Sequence, residues 1–178
     1  MKRVVFLAAV CGAGVAFAAQ PQPEFTILNS QDAKVCEHFQ THFDSAPIKW
    51  QQLPRSPEGD ENARATIDFE NTGKPAQVFR HEDRTYVFGG SYFLVAPQGT
   101  TVPTDWFEKL NMSAGPPHPP APMRLYVQED MNTTAEIAQF NKKNYLRTVP
   151  IREDLNFVMI FEAKDGKLQE ICRYQVTR

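Results

Sequence analysis

Apolar and polar residues alternate most regularly at the carboxyl end of the chain. On both sides of Asp165-Gly166 the apolar residues favour alternate positions: Leu155, Phe157, Met159 and Phe161 before it, and Leu168, Cys172, Tyr174 and Val176 after it. Asp-Gly between two alternating segments is the signature of a two-residue type I′ turn. The pattern predicts a β-hairpin over 155–177, in which Met159 lies opposite Cys172.

A different spacing near the amino end predicts a helix. A short apolar segment at 24–28 fits a strand, and three apolar residues then recur every four positions: Val35, Phe39 and Phe43. This spacing places them on one face of an α-helix. Asn29 or Ser30 can cap its start, so we predict a helix over about 31–44.

The middle of the chain has the composition of β-strands. Over residues 64–95, β-branched and aromatic residues alternate with polar ones. A short helix is predicted near 105–110, and prolines make residues 113–123 an extended surface loop. Together the elements predict an α+β domain over 24–178: a mainly antiparallel sheet of six to nine strands with an N-terminal helix and a second, short helix.

The first residues predict export. Lys2 and Arg3 precede an apolar run from Val4 to Val15, and Ala16-Phe17-Ala18 has the small-x-small form of a cleavage site. We therefore predict a signal peptide over 1–18, with cleavage near Ala18 or Ala19, and a mature chain that is periplasmic or secreted. The apolar run is too short to span a bilayer, so we expect no transmembrane anchor after cleavage.

Cleavage changes both the charge and the cysteine count. Without Lys2 and Arg3 the chain has 17 basic against 21 acidic residues, a net charge of −4, which gives no electrostatic footprint for nucleic acid. Cys11 leaves as well, so Cys36 and Cys172 remain. An even pair in an exported protein predicts a disulfide, which would tie the first helix to the last strand. Two buried free thiols are the alternative.

A candidate metal site follows the first predicted strand of the middle region. Residues 68–78 read DFENTGKPAQV, with Asp68, Glu70 and Thr72 at alternate positions before Gly73. This stretch resembles the calcium loop of FG-GAP or VCBS-type repeats, in which such spacing turns oxygens onto a hard cation. The resemblance implies weak, structural Ca²⁺ binding. A strand–turn–strand corner without metal is the alternative interpretation.

Other candidate chemistry is sparse. His38 and His42 lie one helical turn apart, a spacing that can bind a transition metal, although two surface histidines are the simpler interpretation. Ser91 lacks the Gly-x-Ser-x-Gly context of a nucleophile elbow. We predict no catalytic residue, and no cofactor beyond the weak calcium hypothesis.

Aromatic residues are dense between positions 79 and 107. Four of them are candidates for an exposed contact surface: Tyr86, Phe88, Tyr92 and Trp106. The alternative is a second core face covered by the helix near Trp106.

These observations favour a small exported, non-enzymatic protein-binding domain, of the kind found in periplasmic inhibitors or immunity proteins. Its partner would be another exported or envelope protein. One alternative is a small secreted hydrolase acting on cell-envelope polymer, and another is a calcium-stabilised structural envelope protein. All three hypotheses rest on architecture and compartment and not on an identified site.

Overall fold

Ten strands and one helix make up the regular structure of the described residues. The computed structural model describes residues 24–42, 48–53, 61–83, 90–103, 106, 118–129, 133–150 and 156–177. In chain order, the elements are β1 (Glu24–Ser30), α1 (Ala33–Thr41), β2 (Gln51–Gln52), β3 (Glu61–Ile67), β4 (Ala76–Asp83), β5 (Gly90–Pro97), β6 (Arg124–Gln128), β7 (Thr133–Phe140), β8 (Lys143–Pro150), β9 (Phe157–Lys164) and β10 (Lys167–Thr177). The predicted signal peptide over 1–18 lies outside the described residues.

The strands divide equally between two antiparallel sheets. Sheet A has the strand order β1-β10-β9-β8-β7, and sheet B has the order β2-β3-β4-β5-β6. The α+β prediction with one sheet of six to nine strands is therefore wrong, because the fold is nearly all-β. Alternation along a chain marks each strand, but it carries no information about which sheet the strand joins.

The helix is shorter than the sequence predicts. The carboxylate of Asp32 accepts hydrogen bonds from the backbone amides of Lys34 (3.0 Å) and Val35 (3.2 Å), so Asp32 is the N-cap rather than Asn29 or Ser30. The helix ends at Thr41. The second predicted helix near 105–110 lies outside the described residues except for Trp106. No helix in the described part of the chain is long and apolar enough to cross a membrane.

The apolar core has three layers. Between the sheets, Phe93 and Tyr126 of sheet B pack with Ile137 and Leu146 of sheet A. The outer face of sheet A is covered by α1, and Trp106 belongs to a cluster with Phe79, Leu94, Ala96 and Met123 of sheet B and its flank. Each sheet is thus covered on both faces. This explains why successive residues of one strand, which point to opposite faces, can both be apolar.

The C-terminal hairpin forms as predicted, but its register shifts within it. Asp165 and Gly166 both have positive φ (50° and 78°), as a type I′ turn requires. A bulge between Glu170 and Cys172 then places Cys172 opposite Ile160 and not opposite Met159. Because a one-residue slip exchanges the two faces of a strand, Cys172 faces α1 together with Ile160.

A disulfide links the helix to the last strand. Cys36 of α1 and Cys172 of β10 are bonded, with a Cα–Cα distance of 5.5 Å and a sequence separation of 136. Both cysteines are fully buried, beside Val35 and Phe39. The bond fixes the helix on the outer face of sheet A.

Candidate functional site

The four edge strands of the two sheets differ in how much of their surface is exposed. β7 has one exposed residue of eight and β6 has one of five, whereas β2 is only two residues long. β1 is exposed at five of its seven positions, and within the described residues it pairs with β10 alone. β1 is therefore the long, accessible edge of the fold.

Two of the large exposed apolar side chains lie on β1, and a third lies at the start of β9, the central strand of sheet A. Ile27 is 50% exposed, Leu28 is 49% exposed and Phe157 is 43% exposed, and they are the exposed large apolar residues of the described segments. We name Glu24–Ser30 the β1 edge. An apolar surface of this kind is a mark of an interaction site when its members lie together.

The register shows how these side chains are arranged. Ile27 lies opposite Tyr174, whose ring packs in the core beneath α1, so Ile27 is on the helix face of sheet A. Phe157 lies opposite Gln175, and Gln175 lies opposite Thr26, so these three residues form a row on the other face. Exposed apolar surface therefore occurs on both faces of sheet A, with Ile27 on the helix face and Phe157, two strands away from β1, on the other.

A polar network bounds one end of the β1 edge. The amide of Asn29 donates a 2.7 Å hydrogen bond to Glu170, which also pairs with Arg173. β1 itself carries a single charge, Glu24, and has neither a cation nor a proline. Lysines, prolines and bulges are common protections of edge strands against pairing, and of these the strand itself has a bulge between Ile27 and Asn29.

Two residues of the predicted aromatic contact surface are buried. Tyr92 is 8% exposed and Trp106 is 4% exposed, so both belong to the interior. Trp106 covers the outer face of sheet B, which is the alternative of a second core face. Tyr86 and Phe88 lie outside the described residues. The accessible apolar side chains are aliphatic residues of β1 and Phe157 instead.

The residues of the calcium-loop hypothesis form a turn between β3 and β4. The Asp68 carboxylate accepts hydrogen bonds from the backbone amides of Thr72 (2.9 Å) and Gly73 (2.7 Å) and from the Thr72 hydroxyl (3.3 Å). The next residue but one, Glu70, faces β6. Its oxygens accept from Arg124 at 2.6 and 2.8 Å and from the Tyr126 hydroxyl.

These contacts fit a structural corner better than a cation site. The carboxylates of Asp68 and Glu70 are used by different protein donors, and the Thr72 hydroxyl donates to Asp68. Nowhere in the described segments do three His, Cys, Asp or Glu side chains gather as metal ligands do. The turn also ties the sheets together, since Asn71 and Asn144 exchange two hydrogen bonds (2.7 and 2.9 Å).

Two shallow grooves lie on either side of the Glu70–Arg124 pair. One has a volume of about 620 Å³ and is bordered by Lys74 and Pro122. The other has a volume of about 370 Å³ and includes Glu162, which pairs with Lys143 at 3.3 Å. Burial, and after it the hydrogen bond to Glu70, raises the pKa of Tyr126 far above its ordinary value. Its hydroxyl therefore stays protonated and holds this corner by donating to Glu70.

His38 of α1 and His42, the residue that follows the helix, stack on each other. The rings of His38 and His42 are 4.5 Å apart and 13° from parallel, and His38 also stacks on Phe140 at 4.2 Å. Burial, and after it the charge of His42, lowers the pKa of His38. Nδ1 of His42 lies 2.9 Å from the Thr41 hydroxyl. Among the described residues no third His, Cys, Asp or Glu side chain joins these two rings as a metal ligand.

The geometry defines a class of structure: a two-sheet antiparallel β-sandwich with one helix bound by a disulfide to an outer face. No known family profile matches the sequence, and comparison with curated proteins and with solved structures gives no match.

The sequence pattern does not predict the β1 edge as a contact surface, although one indication of it lies within the strand itself. The segment EFTILNS has one charge and no cation, which is unusual for an exposed strand. What the sequence does not show is that this strand lies at an edge, because that depends on its pairing with β10, more than 140 residues away.

Proposed function

We propose that the chain is an exported, non-enzymatic protein-binding domain that engages another exported or envelope protein through the β1 edge. The observation that carries this proposal is the exposure of Ile27 and Leu28 on β1, the edge strand of sheet A. Removing such side chains from water is favourable by about 25 cal/mol per Å² of apolar surface, and the exposed positions supply that area.

Export is supported by two features of the chain. The amino end has the pattern of a signal peptide, and the disulfide between Cys36 and Cys172 suits an oxidising compartment. An inhibitor or immunity-type protein is the form of binder that we favour, because it needs a rigid contact surface and no reactive group.

The hydrolase alternative has less support from the described residues. Glycoside hydrolysis uses two carboxyl groups that flank a cleft, one of which must act as an acid. Glu70 and Glu162 border the grooves, but each is held by a cation, Arg124 and Lys143 respectively. Such ion pairs are typical of a structural corner and not of a catalytic pair of carboxyl groups.

The experiment is capture of a partner by the tagged chain, expressed from Gln20, in extracts of exported proteins. The wild-type chain is compared with Leu28→Lys, which places a charge in the β1 edge. Gln52→Lys is the matched control, because it places the same charge on β2, the exposed edge strand of sheet B. We expect one partner with the wild type and Gln52→Lys, and its loss with Leu28→Lys. Equal capture by all three chains would refute the proposed surface.

A further inference from the structure

We propose that the occupant of the β1 edge is an extended strand of the partner, which pairs with β1 through its main chain and places a lysine or arginine opposite Glu24. This inference rests on the proposed function and specifies how the same surface binds. It adds a sixth strand to sheet A, because among the described residues β1 pairs with β10 alone and carries no strand on its other side.

The main chain of β1 carries the first part of the argument. A seven-residue edge strand presents a row of amides and carbonyls that a further strand can pair with. The half-exposed side chains Ile27 and Leu28 are consecutive residues of this strand. Side chains of an added strand alternate between the two faces of the sheet, so apolar residues of the partner contact β1 while its backbone completes the hydrogen bonds.

The charge of β1 carries the second part. Glu24 is exposed and is the one charged residue of the strand. Opposite charges directly across two strands stabilise the pair, and like charges destabilise it. A second copy of β1 supplies no cation to Glu24 in either direction, because the strand contains none. A partner strand with a basic residue at that position is complementary.

The test is selection of displayed peptides of about nine residues, the length of one strand, against the chain expressed from Gln20. Counter-selection uses Leu28→Lys, and Gln52→Lys serves as the matched control. We expect enriched peptides to alternate apolar or β-branched residues with polar ones and to contain a lysine or arginine. Failure to enrich any peptide that distinguishes the wild type from Leu28→Lys would overturn the inference.

N-methylation of the best peptide then separates strand pairing from docking on a face. Methylating alternate amides removes the donors on one edge of the peptide and keeps its side chains. One of the two alternating patterns should weaken binding about tenfold or more, because it removes two or three hydrogen bonds, and the other should have little effect. Equal effects of the two patterns would overturn main-chain pairing.

Charge reversal tests the role of Glu24. Glu24→Lys should weaken the lysine-containing peptide about threefold, and a peptide with glutamate at that position should recover the loss. Absence of recovery would refute the assigned pairing. A dimer of the chain that Leu28→Lys dissociates would instead make a second copy the occupant.

The two proposals fail in different ways. If Leu28→Lys abolishes partner capture while both methylation patterns act equally, the β1 edge remains the binding surface and strand pairing is wrong. If partner capture is indifferent to Leu28→Lys, the proposed function is itself wrong.

Discussion

The hydroxyl of Tyr174 in β10 donates a 2.8 Å hydrogen bond to the backbone carbonyl of Phe39 in α1, across 135 residues of sequence. Burial raises the pKa of Tyr174 to about 12, so the hydroxyl remains a donor at neutral pH. Cys172, two residues earlier in β10, bonds to Cys36. The helix is thus attached to sheet A at two successive turns, once covalently and once by a hydrogen bond.

Tyr174→Phe should lower the free energy of unfolding by about 1–2 kcal/mol. The substitution keeps the ring in place but leaves the Phe39 carbonyl without its donor in a buried position. Urea denaturation monitored by circular dichroism measures the change, with an unchanged slope as evidence that the fold is intact. An unaltered midpoint would show that water replaces the hydroxyl and that this bond does not hold the helix.

Loss of the disulfide should have a larger effect. Cys36 and Cys172 close a loop of 136 residues, and the chain-entropy model assigns about 5 kcal/mol to a loop of that length. We expect Cys36→Ala/Cys172→Ala to unfold at much lower denaturant, and reductant to destabilise the wild type only. A wild type that is insensitive to reductant under unfolding conditions would contradict this assignment.

Local patterns in the sequence predict local structure well, and the type I′ hairpin is the clearest case. Its turn and both arms follow from Asp165-Gly166 and the alternation around it. The bulge at Ile171 does not follow, because it depends on which side chains meet α1. The sequence pattern does not predict a second hairpin, β7–β8, although Asn141 and Lys142 both adopt positive φ at its turn. Asn-Lys is a weaker turn signal than Asp-Gly.

The candidate site depends more than the hairpin does on pairing and packing between distant parts of the chain. The segment at 24–28 is predictable as a strand, but its exposure follows from its place at the edge of sheet A. The aromatic residues Tyr92 and Trp106 are buried because the outer face of sheet B is also covered. Residue type alone does not separate an aromatic contact surface from a second core.

The Glu70 corner should matter more for stability than the neighbouring ion pair. Glu70 accepts from Arg124 and from the buried Tyr126, so Glu70→Ala should cost about 2–3 kcal/mol. Glu70→Gln keeps an acceptor for Tyr126 and should cost less. Lys143 is 55% exposed in its pair with Glu162, so the control Lys143→Met should change stability by less than about 0.5 kcal/mol. Denaturation midpoints of the four chains test this order, and a Lys143→Met effect equal to that of Glu70→Ala would contradict it.

Calcium should leave the thermal stability unchanged. Asp68 accepts from protein donors in its own turn, whereas Glu70 accepts from Arg124 and Tyr126, so the two carboxylates serve different contacts and not one cation. Asp68→Ala should instead lower the free energy of unfolding by about 1–2 kcal/mol, because the amides of Thr72 and Gly73 lose their acceptor. Thermal melts with chelator and with added Ca²⁺ make the measurement. A rise in melting temperature with Ca²⁺ that Asp68→Ala removes would restore the calcium-loop hypothesis.

Acidification should destabilise the protein in part through His38. Burial against Phe140, and after it the charge of His42, lowers the pKa of His38 below its ordinary value. The unfolded chain therefore takes up this proton at a higher pH than the folded chain does, so the free energy of unfolding falls as pH drops below about 6.5 and is retained above it. His38→Gln should reduce that dependence between pH 8 and pH 5, whereas His118→Gln, at an exposed position, should keep the wild-type profile. Melting temperatures of the three chains across this range decide the matter. If the His38→Gln and wild-type profiles are parallel, proton uptake by His38 does not contribute to acid destabilisation, and the stack on Phe140 accommodates the charged ring.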